Sequence, residues 1–172
     1  MLDGELYKIT DWQHNKQGRG SAQVRLQLKN LRSGTNIERT FQAGAKFEDA
    51  RLERRELQFQ YADGDQYNFM DPETYDQVSL SAAMLGSAVN FIREGDSVDV
   101  LMYNDSFVDI DLPAAVVLEV TQSEPGVRGD TATGATKPAR LETGLVVNVP
   151  LFVNEGDKIK VDTRSGKYLE RV

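Results

Sequence analysis

Apolar and polar residues alternate along most of this chain with a period of two. Ala22, Val24, Leu26 and Leu28 take one face of a segment, and Gln23, Arg25, Gln27 and Lys29 take the other. This alternation predicts a half-buried strand. It leaves a turn in which Gly18 and Gly20 bracket Arg19, so the backbone there can adopt positive φ and the turn can be narrow. Leu6, Tyr7 and Ile9 begin the strand that leads up to that turn. Further strands are expected over 36–41, 52–61, 67–71, 98–103, 107–112, 116–120, 145–149 and 158–161, with a last turn at Ser165-Gly166. Asp3-Gly4 and Asp63-Gly64 are hairpin-turn signals. Only Met1 and Leu2 precede the first, so a first strand is expected to be very short or trimmed away.

One segment has a different period. Leu80, Met84, Leu85, Ala88, Phe91 and Ile92 fit a helical stripe, which predicts a helix over 79–93, capped by Ser79 or Ser81 and stopped by Gly95. A short internal repeat follows. Glu94-Gly95-Asp96-Ser97-Val98-Asp99-Val100 recurs as Glu155-Gly156-Asp157-Lys158-Ile159-Lys160-Val161, each copy a Gly-Asp turn feeding an alternating strand. The repeat fits two copies of a small five-stranded barrel. The fold class expected is all-β.

Charge divides the chain. Residues 1–50 carry 8 basic and 6 acidic side chains, residues 51–113 carry 4 and 13, and residues 114–172 carry 8 and 8, within a total net charge of -7. These three segments are the expected domains. There is no Cys, which excludes disulfides, thiolate catalysis and Cys-based zinc sites. His14 is the only histidine, so no His-based metal site is expected and a His triad would rest on one residue. No long apolar run and no basic-then-apolar leader mark membrane insertion or export, and a cytoplasmic protein is expected.

The basic island is the most informative stretch. From Trp12 to Ile37 there is no Asp or Glu, yet the stretch holds Lys16, Arg19, Arg25, Lys29 and Arg32. A guanidinium on a narrow tip suits bidentate phosphate binding, and cations along the strand behind it suit phosphate contacts that position RNA without reading its sequence. Trp12 and His14 are candidates to stack on RNA bases, with core or strand packing the preferred reading for Trp12. The carboxylates Glu53, Glu56, Asp63, Asp65, Asp71 and Glu73 raise a rival reading, a hydrolase using a carboxylate pair, although nothing in the sequence fixes such a pair. A second rival is a single-stranded nucleic-acid-binding OB protein; charges of -9 and 0 on the second and third segments argue against it.

The chain resembles bacterial elongation factor P over essentially its whole length. The resemblance is carried by 29–34 (KNLRSG), 53–58 (ERRELQ), 69–71 (FMD) with 73–75 (ETY), 125–131 (PGVRGDT), 137–139 (KPA), 141–147 (LETGLVV) and 149–152 (VPLF). It implies three small β-barrels, an SH3-like KOW domain over 1–50 and OB domains over 51–113 and 114–172, in an L-shaped arrangement resembling a transfer RNA. It implies a non-enzymatic factor that binds the 70S ribosome between the peptidyl and exit sites and relieves stalling at consecutive prolines. Arg19 falls on the family's tip residue and resembles the arginine class, in which the tip is glycosylated by a modifying enzyme or left bare. Gln17 stands where proline is frequent in the lysine class, so lysine-type modification is not expected. Gly18, Arg19 and Gly20, with Lys16, Arg25, Lys29 and Arg32, would face peptidyl transfer RNA and ribosomal RNA. Gly129, Asp130 and Thr131 would meet the messenger codon in the exit site. The family chain starts earlier than Met1. No metal and no cofactor is expected.

Overall fold

The computed structural model describes residues 1–16, 18–126 and 134–172, and these divide into two compact units: Met1–Glu53 with Met102–Val108, and Arg54–Leu101 with Asp109–Val172. Among the described residues thirteen strands fall into three antiparallel sheets, and the protein is all-β as its alternation requires.

The first sheet is a meander of β1 (Tyr7–Asn15), β2 (Gln23–Asn30) and β3 (Asn36–Gln42). Its central strand keeps strict alternation, burying Leu26, Leu28 and Asn30. Asp3-Gly4 forms the expected tight turn. Both residues have positive φ, 50° and 79°, and Leu2 and Glu5 exchange backbone hydrogen bonds of 2.9 and 3.0 Å across it. Paired positive φ is the I′ geometry that Asp-Gly favours. The register of β1 on β2 shifts between Ile9 and Asp11, a bulge that the sequence does not announce.

The other two sheets have the same topology. The second runs in the order β6-β5-β4-β7-β8, built from β4 (Glu53–Asp63), β5 (Gln66–Met70), β6 (Gln77–Ser81), β7 (Ser97–Tyr103) and β8 (Ser106–Asp111). The third runs β11-β10-β9-β12-β13, from β9 (Ala115–Ser123), β10 (Thr136–Leu141), β11 (Val146–Pro150), β12 (Lys158–Asp162) and β13 (Tyr168–Arg171). The repeated heptapeptide occupies the same place in both. Gly95 and Gly156, at φ 90° and 86°, donate to the carbonyls of Phe59 and Val120 at 2.7 and 2.8 Å. Asp96 and Asp157 accept through their main-chain oxygens from the amides of Phe59 and Val120, both at 2.9 Å. Their side chains in turn accept from the amides of Arg93 and Asn154, again both at 2.9 Å. Immediately after Phe59 and after Val120 each first strand carries a register shift against its neighbour. A bulge there adds twist and lets a five-stranded sheet coil. In the third sheet the two edge strands, β11 and β13, come into contact.

The predicted helix over 79–93 is the main correction to the sequence reading. Ser79 lies in β6; the helix is a single turn, α1 (Ala82–Leu85), followed by a 3-10 turn over Gly86–Asn90. Ser81 is the cap, its Oγ accepting from the Met84 amide at 3.2 Å. Gly86, at φ 59°, breaks the helix nine residues before the expected stop at Gly95. The apolar stripe persists in part: Leu85, Ala88, Phe91 and Ile92 are buried, whereas Met84 is half exposed. Phe91, in the connection between β6 and β7, enters the core of the third sheet, with Leu118, Val120, Leu141, Val149 and Ile159. Two polar contacts support that junction. Thr143 Oγ1 donates to the Asn90 carbonyl at 2.7 Å, and Arg93 meets Glu142 at 3.4 Å. The Arg93 guanidinium is held above its ordinary pKa by its hydrogen bond to Asp96, with the charges of Asp96 and Glu142 adding to it against partial desolvation.

The tip of the second Asp-Gly hairpin also differs from expectation. β4 extends through Asp63, and the two turn residues are Gly64 and Asp65, of which only Gly64 has positive φ (61°). Glycine first with positive φ is the II′ pattern.

Candidate nucleic-acid interface

The tip forms where β1 and β2 part beyond the pair Asn15↔Gln23. Gly18 sits at φ 53°, a conformation that an L side chain adopts only at a cost of about 1–2 kcal/mol. Lys16, Gly18, Arg19 and Gly20 are all exposed. Among the described residues, no carboxylate pairs with Lys16, Arg19, Lys29 or Arg32. Arg19 therefore presents an uncompensated cation at the end of a two-stranded ribbon. Gln17 lies outside the described residues.

The rest of the basic set is spread along the sheet. Arg25 and Lys29 share the polar face of β2, and Lys8 lies directly across from Lys29 on β1. Arg25 is not free: Glu38 on β3 approaches it at 3.4 Å, with both side chains about half exposed. The absence of acids between Trp12 and Ile37 is thus true of the sequence but not of the space around Arg25. Arg32 lies at the other end of β2 from the tip, roughly 25 Å away at the rise of a strand. It sits in a turn built on the buried Asn30, whose Oδ1 accepts from the amides of Arg32 and Ser33 at 2.9 and 3.0 Å. Asn30 Nδ2 donates to Glu5 at 2.6 Å, which ties that turn to the start of the chain. Lys16 and Arg19 both lie between β1 and β2, and the sheet strings Arg25, Lys29 and Arg32 away from that end.

Trp12 corrects the sequence reading. It pairs with Leu26 in register but is 64% exposed, because β1 is an edge strand of its sheet. His14 lies on the same face, opposite Val24. Among the described residues no cluster of three or more His, Cys, Asp or Glu is placed to hold a metal.

Among the described residues, two of the three acids that share a pocket are already paired with a cation. Glu56, Asp99 and Asp111 do line an open pocket of about 330 Å³. Arg54 bridges the last two, at 3.2 Å to Asp99 and 2.8 Å to Asp111. Both acids are therefore engaged by one cation in a solvent-open site. Asp71 serves a turn, its Oδ1 accepting from the amides of Glu73 and Thr74 at 2.8 and 3.2 Å.

Gly129, Asp130 and Thr131 lie outside the described residues, but the ends of their connection are defined. Gly126 lies against the backbone of Leu151, where an added Cβ would meet the Leu151 oxygen at 3.1 Å. Lys137 is 7% exposed, at a core-facing position of β10, and its Nζ donates to the Glu124 carbonyl at 2.7 Å. Sequence reasoning noted Lys137 only as part of a family motif. The signal was present: alternation from Thr136 to Leu141 puts Lys137 on the face of Ala139 and Leu141.

Three family descriptions match the sequence in order. They are the elongation factor P KOW-like domain over residues 1–47, the elongation factor P OB domain over 52–110, and the elongation factor P C-terminal domain over 116–171. The chain belongs to the elongation factor P family. Among its relatives is the elongation factor P of Pelotomaculum thermopropionicum, 53% identical over 171 residues, which span 99% of this chain and 92% of the relative. That of Crocosphaera subtropica is 52% identical over 170 residues, 99% of this chain and 91% of the relative. A solved structure of eukaryotic translation initiation factor 5A from Methanococcus jannaschii matches in fold with a TM-score of 0.50 and 23% identity, covering 64% of this chain and 81% of that one. As an elongation factor P, the chain is a translation elongation factor, and the ribosome is its implied partner. Among the described residues no helix is long and apolar enough to cross a membrane.

Proposed function

We propose that this protein binds the bacterial ribosome between the peptidyl and exit sites and promotes peptide-bond formation where consecutive prolines stall it. The observation that carries the reading is the uncompensated Arg19 on a narrow ribbon end, in a chain of this family. The factor supplies no acid, base or nucleophile and is not an enzyme. Arg19, bare or glycosylated by an arginine-modifying enzyme, holds the end of peptidyl transfer RNA in a reactive pose. Orientation of that kind reaches about 7–11 kcal/mol in well-aligned systems, so a single tip contact need contribute only part of it. Lys16, Gly18 and Gly20 shape and flank the contact. Arg25, Lys29 and Arg32 meet phosphates along one side of the sheet, Arg25 after exchanging Glu38 for RNA. Gly129, Asp130 and Thr131 meet the messenger codon in the exit site. The work is done in the cytoplasm, without metal or cofactor.

Diproline synthesis on purified ribosomes tests the reading. Added protein should accelerate the proline–proline bond at least tenfold and leave an alanine–alanine bond nearly unchanged. Equal rates with and without protein on the proline template would overturn it.

A further inference from the structure

Lys137 is a cation where the fold asks for an apolar side chain. It points to the interior of the third sheet in line with Ala139 and Leu141, across from the fully buried Val149. Lysine is rarely buried so far without an acidic partner. Here, among the described residues, the acceptor is the main-chain oxygen of Glu124 at 2.7 Å.

The position explains the choice. Pairing between β9 and β10 ends at Ser123↔Ala139. Beyond it the two strands part, and Pro125 has no N–H with which to continue a ladder. The ammonium of Lys137 takes the Glu124 carbonyl that a continuing ladder would have used. Two further contacts hold the same arm: the Ser123 amide donates to Glu155 Oε1 at 3.1 Å, and Gly126 lies on the Leu151 backbone. The arm is thus fixed from three directions just before the connection to β10.

We propose that Lys137 is a positioning residue: its buried ammonium clamps the Glu124 carbonyl and fixes the course of residues 124–126 where the chain leaves β9. This rests on the reading that this connection serves the messenger contact. An apolar residue of the same length would fill the interior equally well and release the arm. The role is therefore separable from folding, because an ammonium is hydrated more strongly than a thioether and its removal relieves the core of a charge.

The test compares Lys137→Met, Lys137→Arg and Gly126→Ala with the parent as full chains. Trypsin cleavage after Arg128 reads the arm directly, since Lys137 itself precedes Pro138 and is a poor trypsin site. Lys137→Met should speed that cleavage about tenfold at an unchanged or raised melting temperature, and should lower diproline stimulation severalfold. Lys137→Arg should restore both in part. Gly126→Ala, which loosens the same arm without touching the interior, should reproduce the faster cleavage even if Lys137→Met fails to fold. Parental cleavage rates in every folded variant would overturn the clamp. The double variant Asp130→Ala/Thr131→Ala judges the messenger reading by itself. Full activity there removes that reading, while the clamp still stands or falls on the cleavage rate.

Discussion

The first sheet and the two five-stranded sheets use the same alternating pattern to opposite ends. In the repeated sheets the apolar face is closed: Phe69, Leu57, Val100, Leu118, Val149 and Ile159 are almost wholly buried. Matching Gly-Asp turns and bulges fix the two sheets identically. In the first sheet only the central strand buries its apolar residues, and β1 exposes Ile9, Trp12 and His14 along its edge. Charge follows the same division, with the cations of the basic island on the open sheet and the largest acidic excess on the first of the closed ones. The difference teaches where this chain can afford function. A closed sheet resists change and holds an orientation. An open meander ending in a narrow turn can put one guanidinium where little else fits.

Substitutions sharpen that contrast in order of size. Phe69→Ala removes a fully buried ring packed 5.3 Å from Phe59 and should cost about 3–5 kcal/mol, read by chemical denaturation. A loss no larger than that of an exposed residue such as Ile9→Ala would break the contrast. Gly95→Ala and Gly156→Ala should each cost about 1–2 kcal/mol, because both glycines hold positive φ with open space around them. The two losses should agree, since the two turns share every backbone hydrogen bond; a large inequality would mean that the repeat is equal in shape but not in energetics. Arg25→Ala should change stability by less than about 1 kcal/mol, its pair with Glu38 being half exposed, and should reduce the salt slope of ribosome binding by about one unit.

The smallest effect is a pH dependence. Asp162 holds the turn before β13, accepting from the amides of Arg164 and Ser165 and from the Ser165 hydroxyl. The Ser165 amide and hydroxyl, foremost, hold its carboxyl below the ordinary value of 3.8. A lowered native pKa favours the folded state once the pH exceeds the unfolded value, and that contribution fades as the pH falls through the native one. Asp162→Ala should therefore melt below the parent at pH 7, and the two curves should converge as the pH drops below about 4. A gap that persists undiminished at pH 2 would assign the turn to something other than the carboxylate.

Much of the fold was legible in the residues. Alternation located the central strands, Asp3-Gly4 located a true I′ turn, and seven repeated residues foretold two sheets of one topology. The misses have physical causes. Bulges add one residue without changing composition, so the shifts beside Ile9, Phe59 and Val120 left no trace. The helix was overextended because buried positions in a strand, a short turn and a loop happened to fall at helical spacing, and one glycine at positive φ outweighed them. In the candidate site, the tip was legible because glycines flank it. The pairing of Arg25 with Glu38 was not, since strand neighbours come from distant sequence. Nor was the span from Arg19 to Arg32, which eight residues of strand set apart.

The central claim is that the open sheet acts through its tip while the rest of its cations only hold RNA. Diproline synthesis by Arg19→Ala, measured beside Arg25→Ala and Lys29→Ala at saturating factor, tests it most directly. Arg19→Ala should melt within about 0.5 kcal/mol of the parent, bind ribosomes, and fail to accelerate the proline–proline bond, while the other two approach the parental rate once saturated. An Arg19→Ala protein that accelerates the bond as the parent does would contradict the account.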